Sequence, residues 1–162
     1  MMSLYEEEFR MGNKEKYICF KLGDELFASP LSKVVEIYQL QDLEPIKKGV
    51  SIFLGNFNAG ALEIPLLDLA KIVGRKNKTT QHEESCIVIF DLSDGPWGAL
   101  VENLEGIITF DSSDIQGYSE PDSPIYGKAM GVKNTYKLIN PEKMVNKIDR
   151  LRWSSNKYQT AS

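Results

Sequence analysis

The sequence of 162 residues predicts an all-β fold made of two similar lobes, each ending in a short helix. Apolar residues alternate with other residues along short segments that turn residues separate, which is typical of strands. The second half repeats this pattern at an offset of about seventy residues. Each half also closes with a strand-like segment that runs into a residue suited to starting a helix. Each lobe is therefore predicted to be a small barrel-like sheet followed by a helix.

Two β-hairpins are predicted, one near the start of each half. Apolar side chains alternate onto one side along residues 16–22, and Gly23-Asp24 supplies a turn before residues 26–28. In the second half, the apolar residues 86–92 end at the turn sequence Ser93-Asp94-Gly95-Pro96 before residues 97–104. A turn of this composition between two strand-like segments is the signature of a hairpin.

An internal repeat relates the two halves. At an offset of 70, without a gap, the sequence aligns Ile18 with Val88, Phe20 with Phe90, Leu22 with Leu92, Asp24 with Asp94, Phe27 with Trp97, Leu31 with Val101, Val34 with Leu104 and Ile37 with Ile107. At an offset of 72 it aligns Gly55 with Gly127, Leu66 with Leu138, Leu67 with Ile139, Lys71 with Lys143 and Val73 with Val145. Two unrelated β patterns match in part because both have period two. The shared turn aspartate and the shared strand-to-helix ending favour a true repeat.

Each half ends where a strand meets a helix-capping residue. Residues 64–67 run into Asp68, and residues 136–139 run into Asn140. Both side chains can accept hydrogen bonds from the free N–H groups of a helical first turn. Pro141 and Glu142 also suit a first turn, because proline lacks an N–H and an acid complements the helix dipole. We predict a short helix at 68–73 and a longer one at 141–151.

The predicted single domain spans residues 16–147. It divides into a first lobe at about 16–75, a linker at about 75–85 and a second lobe at about 86–147, because the run RKNKTTQHEES is polar and lacks periodicity. Residues 1–15 are predicted to be a flexible N-terminal tail. Residues 148–162 are predicted to hold the end of the C-terminal helix and a second tail.

Composition indicates a globular cytoplasmic protein, with 42% hydrophobic and 26% charged residues. No apolar run approaches the roughly 20 residues of a membrane helix, and the acidic N-terminus lacks a secretory signal, so we expect no membrane insertion. A net charge of −4 without a basic cluster argues against a nucleic-acid partner. Cys19 and Cys86 lie in apolar segments and are predicted to be reduced core residues rather than a disulfide.

The sequence offers no constellation for catalysis. The single histidine, His82, lies in the polar linker, and together with two separated cysteines it cannot supply the about four N or S ligands of a zinc site. No serine sits in a nucleophile motif, and the glycines lack the Lys-Ser/Thr of a phosphate loop. We therefore expect no metal, no cofactor and no enzyme activity. Glu102 and Asp114 leave a small hydrolase as an alternative, although acids at strand ends and turns are usually solvated.

The residues resemble the CheW-like domain, the coupling module of bacterial chemosensory systems. Residues 52–69, IFLGNFNAGALEIPLLDL, resemble without a gap the family's G-x-x-N-x-x-x-x-x-x-P-x-x-D-L spacing. Other segments similar to the family are LFASPLSKVVEI at 26–37, LEPI at 43–46, GALVENLEGII at 98–108 and residues 132–145. The resemblance covers residues 16–147.

This resemblance implies a fold and a set of partners. The implied fold is two SH3-like five-stranded β-barrel lobes around a shared core, without catalytic activity. The implied partners are the regulatory domain of a CheA-type histidine kinase and the cytoplasmic tip of chemoreceptors. By position, it implies receptor contacts at Val34, Glu36, Gly55, Asn58 and Gly60, and kinase contacts at Leu43, Glu44 and Ile46. Val34 could equally be a core residue, and Gly55 could equally serve only a turn.

The chain departs from the family pattern in the N-L-R-G motif, where it has Asn58-Ala59-Gly60-Ala61, and at Asn103. Gly60 stands where the family's N-L-R-G motif has arginine, and Ala61 and Asn103 stand where the family has glycine. Arginine offers five donors in a rigid fork and glycine offers none, so receptor coupling in the usual form is in question. The alternative function is a CheW-like protein that has lost one arm of the bridge and acts in a motility-related or other pathway.

Overall fold

The computed structural model describes residues 14–39, 53–74, 84–92, 95–120 and 123–145. Within these ranges the strands are β1 (Lys14–Leu22), β2 (Glu25–Pro30), β3 (Val34–Gln39), β4 (Phe53–Ala59), β5 (Leu62–Asp68), β6 (Cys86–Leu92), β7 (Gly95–Val101), β8 (Asn103–Asp111), β9 (Ile115–Gly117), β10 (Ile125–Met130) and β11 (Thr135–Ile139). The helices are α1 (Leu69–Ile72) and α2 (Pro141–Val145), with 3-10 turns at Leu31–Lys33 and Ser112–Asp114. The all-β prediction is confirmed.

The strands form two sheets that mix the two sequence halves. One sheet has the order β8-β1-β2-β11-β10-β9, and the other has the order β3-β6-β7-β5-β4. The chain crosses between the sheets after β2 and returns after β7. The five-stranded sheet is therefore built from one continuous segment, and the six-stranded sheet from the segments before and after it. The division into lobes at about 16–75 and 86–147 stays a prediction, and residues 75–83 of its linker lie outside the described residues.

The internal repeat relates the two sheets strand by strand. The order β8-β1-β2-β11-β10 becomes β3-β6-β7-β5-β4 when each strand is replaced by its repeat equivalent. Both sheets contain one parallel pair at the same place, β2 with β11 and β7 with β5, and every other strand pair is antiparallel. Because the two sheets share an unusual mixed order, the repeat seen in the sequence is a repeat of structure.

Even the irregular positions repeat. In the six-stranded sheet the register shifts where Leu104 faces Phe20 and Gly106 faces Cys19. In the five-stranded sheet it shifts where Val34 faces Phe90 and Glu36 faces Ile89, which are the same positions moved by 70. The β4–β5 and β10–β11 pairs also share a shift, between Phe53 and Gly55 and between Ile125 and Gly127. Such bulges bend a strand, so their repetition gives both sheets similar curvature.

The apolar side chains form three clusters. The largest contains Phe20 and Phe27 of one sheet together with Phe90 and Trp97 of the other, and it is the shared core. A second cluster, around Cys19 and Phe110, belongs to the six-stranded sheet alone, and a third belongs to the five-stranded sheet and contains Ile64, Leu66, Ile87, Ile89 and Leu100. Each sheet therefore has an apolar cluster of its own and contributes residues to the shared core.

Both helices begin directly after the predicted capping residues, and α1 (Leu69–Ile72) is shorter than the predicted 68–73. Asn140 caps α2, because its Oδ1 accepts a hydrogen bond from the Glu142 N–H at 3.1 Å. Asp68 occupies the N-cap position of α1 but its side chain makes no capping hydrogen bond there. The predicted part of the second helix beyond Val145 lies outside the described residues. Over the described ranges, no helix is long and apolar enough to cross a membrane.

Candidate functional site

Edge strand β3 carries the first two predicted contact residues. Val34 begins the strand directly after a 3-10 turn, is half-buried, and packs against the shared core. Glu36 is exposed, and its carboxylate accepts a hydrogen bond from the Tyr38 hydroxyl at 2.7 Å. That hydrogen bond is the largest cause of the raised pKa of Tyr38. The interpretation of Val34 as a core residue therefore has direct structural support, whereas Glu36 faces outward in a fixed position.

Two aliphatic side chains on β3 face solvent. Val35 is 60% exposed and Ile37 is 39% exposed. Val35 is the extra residue at the bulge, between the Val34–Phe90 and Glu36–Ile89 pairs. Within the described residues β3 pairs with β6 alone, so among them it is an edge strand, and it carries this apolar face. Such an edge can add a strand from a partner or cover an apolar side chain.

Strand β4 and the turn after it carry the other three predicted receptor-contact residues. Gly55 lies at the bulge with a φ of 133°, a value that side chains rarely adopt. Asn58 is exposed near the end of the strand. Gly60 is exposed and opens a two-residue turn with a φ of 63°, between the paired residues Ala59 and Leu62. Gly55 thus has a backbone role, while Asn58 and Gly60 are available to a partner.

The five predicted receptor-contact residues all belong to the five-stranded sheet, but they lie on two strands. In hydrogen-bonding order β3 and β4 stand at the two ends of this sheet, and Gly60 opens the turn after β4. The predicted kinase-contact residues Leu43, Glu44 and Ile46 lie outside the described residues.

The sequence did not reveal the exposure of Val35 and Ile37. Val35 follows Val34 directly, and an apolar pair of this kind suggests a buried strand. The bulge turns Val35 outward. A usable signal was the repeat, because the residue equivalent to Val35 is Glu105, a residue type that seldom lies in a core.

The carboxylates considered for hydrolysis hold the backbone in place. Glu102 accepts a hydrogen bond from the Gly23 N–H at 2.6 Å and so ties the β7–β8 corner to the first hairpin. Asp114 accepts from the Asp111 N–H at 2.9 Å, and Asp111 accepts from the Ser113 N–H at 3.3 Å, which together form a capping box. These structural roles give no support to the hydrolase alternative.

Both thiols are free and buried. Burial raises the pKa of Cys19 to about 12, with a further contribution from the Glu105 carboxylate, and burial raises the pKa of Cys86 to about 11. A thiol with such a pKa carries almost no thiolate near neutral pH, so neither cysteine is a nucleophile. The prediction that both are core residues is confirmed.

Comparison with known proteins identifies relatives of this arrangement. The profile of the CheW-like domain family matches residues 16–149. A protein named "Chemotaxis protein CheW" from Treponema pallidum (strain Nichols) is 25% identical over 118 residues, which cover 71% of this chain and 66% of that relative, just under two thirds of its length. The crystal structure of the scaffolding protein TtCheW from Thermoanaerobacter tengcongensis superposes with a TM-score of 0.70 at 20% identity, over 82% of this chain and 93% of that one. This likeness confirms the predicted fold of two SH3-like lobes around a shared core.

Proposed function

Because this chain belongs to the CheW-like domain family, we propose that it is a non-catalytic scaffold that couples a CheA-type histidine kinase to chemoreceptors. The observation that carries the proposal is the family match across both lobes, from residue 16 to residue 149. A bridging protein needs separate surfaces for separate partners, and the two sheets supply different exposed edges. The protein would act in the cytoplasm, where the kinase and the receptor tips lie.

The exposed face of β3 supports the receptor arm. It combines the exposed Val35 and Ile37 with the Glu36 carboxylate, which Tyr38 holds in place. An apolar patch beside a fixed charge suits a helical partner that carries an apolar stripe and a cation. The cytoplasmic tip of chemoreceptors, the partner that the family resemblance implies, is helical. The kinase arm is proposed for Leu43, Glu44 and Ile46, with the regulatory domain of the kinase as the partner.

A second candidate function is a protein that has lost the receptor arm. Gly60 favours it, because the tip of the β4–β5 turn offers a partner no side chain where the family has arginine. Such a protein would bind the kinase alone, in a motility-related or other pathway.

Binding to the kinase tests the scaffold proposal directly. The purified chain is mixed with the regulatory domain of the CheA-type kinase of the same organism, and complex formation is measured by calorimetry. Glu44→Lys should weaken the complex, whereas Glu63→Lys, a charge reversal at an exposed site on β5, should leave it unchanged. Absence of binding to every CheA-type kinase of the organism would overturn the coupling role.

Restoring the motif separates the two candidate functions. Gly60→Arg alone puts arginine at a positive φ, so the double variant Gly60→Arg/Ala61→Gly is used, which restores the Arg-Gly pair of the family's N-L-R-G motif. Space is available, because a Cβ at residue 60 meets no heavy atom within 4 Å. A gain of roughly tenfold in receptor affinity would support the lost-arm function. Gly60→Ser/Ala61→Gly is the control variant. An unchanged receptor affinity in the arginine variant would show that residue 60 does not decide between the two candidate functions.

A further inference from the structure

The β10–β11 hairpin carries an unusual charge. Residues 125–139 contain Lys128, Lys133 and Lys137 and no acidic residue, in a chain whose net charge is −4. The hairpin is a basic segment in an acidic protein. Neither the fold nor the proposed receptor and kinase contacts require this charge.

The lysines gather on the outer face of the hairpin. Ala129, Tyr136 and Leu138 are buried, so strand alternation turns Lys128 and Lys137 to the opposite face. These two lysines face each other directly across the strand pair. Like charges in that position destabilise a sheet. Glu25 compensates Lys137 at 2.7 Å, and among the described residues no ion pair is found for Lys128 or Lys133.

The tip of the same hairpin exposes apolar side chains. Met130 is 53% exposed and Val132 is fully exposed. The turn is ordered by a hydrogen bond of 2.8 Å from the Gly131 N–H to the Asn134 carbonyl oxygen. In the other lobe the equivalent turn residues are Gly60 and Ala61, which shows that this fold closes the hairpin without large apolar groups.

An open groove continues the face at the base of the hairpin. It has a volume of about 640 Å³, and Lys137 forms one wall while Tyr118, Ser123 and Ile125 form others. Tyr118 is 45% exposed. The surface therefore combines the apolar tip residues Met130 and Val132, the lysines of the hairpin, and the groove that Tyr118 lines. We call the set Lys128, Met130, Val132, Lys133 and Lys137 the hairpin face.

We propose that the hairpin face is a docking surface for an acidic, amphipathic segment of a partner protein. Carboxylates of the segment pair with Lys128 and Lys133 and relieve the Lys128–Lys137 repulsion. Its apolar side chains cover Met130 and Val132, which are otherwise left in water. The surface belongs to the six-stranded sheet, whereas the proposed receptor contacts belong to the five-stranded sheet, so the two can be occupied together. The inference does not rest on the proposed coupling function.

Charge distinguishes a protein segment from an anionic bilayer as the occupant. The groove at the base also contains Glu120, and the chain as a whole is acidic, so a flat anionic surface would meet repulsion around the lysines. A narrow segment can lie along Lys128 and Lys133, for which no ion pair is found among the described residues. The favoured occupant is therefore a polypeptide with alternating acidic and apolar positions.

The test uses the full chain and a fluorescein-labelled peptide with glutamate on one face and leucine on the other. Fluorescence anisotropy gives the Kd, and NMR shifts of the hairpin amides locate the site. Lys133→Glu and Val132→Asp should each raise the Kd about tenfold, because one reverses a pairing charge and the other removes apolar cover. Lys16→Glu is the matched control, since Lys16 is an exposed lysine on β1 and its reversal changes the net charge equally.

The outcomes are distinct. Loss of binding with Lys133→Glu and Val132→Asp, but not with Lys16→Glu, supports the proposal, as does loss when the peptide's leucines become serine. Equal weakening by Lys16→Glu means general charge attraction and overturns it. The proposal is also overturned if the peptide does not bind, or if the amide shifts that it causes lie away from the hairpin. It is overturned as well if this face binds only vesicles that contain phosphatidylserine.

Discussion

At the residue scale, the glycines of the bulges show how local sequence specifies the sheets. Gly55 and Gly127 are repeat equivalents, and each lies beside a register shift. Their reasons for being glycine differ. Gly55 has a positive φ with open space around it, whereas a Cβ on Gly127 would lie 2.6 Å from the Gln116 carbonyl oxygen. The sequence match revealed the equivalence but not these causes, because close approach of a third strand, β9, is a tertiary contact.

Gly127→Ala tests this close approach. Because the obstructing atom belongs to the backbone, β9 must move away from β10, and we expect a loss of about 2–3 kcal/mol in the free energy of unfolding. Gly117→Ala is the matched control, since a Cβ there meets its nearest atom, the Tyr126 carbonyl oxygen, at 4.0 Å. Urea denaturation of both variants measures the difference. Equal stability of the two would contradict the packing.

The buried thiols predict a pH dependence of stability. Burial raises the pKa values of Cys19 and Cys86 from 9.0 to about 12 and about 11, so the folded protein keeps protons that the unfolded chain loses. The stabilising effect is complete below pH 9 and is lost as the pH rises towards the folded values. The free energy of unfolding should therefore fall as the pH rises from about 9 towards about 11. In a Cys19→Ala/Cys86→Ala variant this slope should shrink, and an unchanged slope would refute the assignment.

At the element scale, short-range sequence signals predicted the hairpins and the helix starts. They did not predict which strands pair when those strands are far apart in the chain. The turn Gly23-Asp24 and the capping residue Asn140 act within a few residues of their own positions, so the sequence displays them. The pairing of β1 with β8 joins residues almost ninety positions apart, as in Cys19 with Gly106. No local pattern specifies such a partner, because every strand with an apolar face is a candidate.

The cap on α2 gives a prediction at this scale. Asn140→Ala removes the acceptor for the Glu142 N–H and should lower the free energy of unfolding by about 1 kcal/mol. Asn140→Asp keeps an acceptor oxygen and should remain within a few tenths of a kcal/mol, roughly the spread among good caps. Thermal denaturation of the two variants measures this contrast. If alanine and aspartate are equally tolerated, the cap does not stabilise the helix.

At the scale of the whole molecule, the exchange of strands joins the halves into one folding unit. The five-stranded sheet is continuous in sequence, yet its core face is completed by Phe20, Leu22 and Phe27 of the other sheet. The sequence repeat suggested two lobes in succession. It could not show that β3 pairs with β6 and β8 with β1, because a sequence repeat shows which strands are equivalent and not which strands are neighbours.

A single cooperative unfolding transition is therefore expected. Phe20 and Phe90 are repeat equivalents on opposite sides of the shared core, and both are fully buried. Phe20→Leu and Phe90→Leu should each shift the entire transition by about 1–2 kcal/mol without splitting it. Circular dichroism and tryptophan fluorescence should report coincident curves. Two separate transitions in either variant would mean that the lobes are independent.

The coupling role itself is tested most directly by co-sedimentation of the kinase with receptor-bearing vesicles. The kinase and vesicles are held constant while this chain is added in increasing amounts, and kinase in the pellet is measured. If this chain couples the two, kinase appears in the pellet in proportion to the added chain until it saturates, and it stays in the supernatant without the chain. A kinase that remains in the supernatant at every concentration of the chain would contradict it.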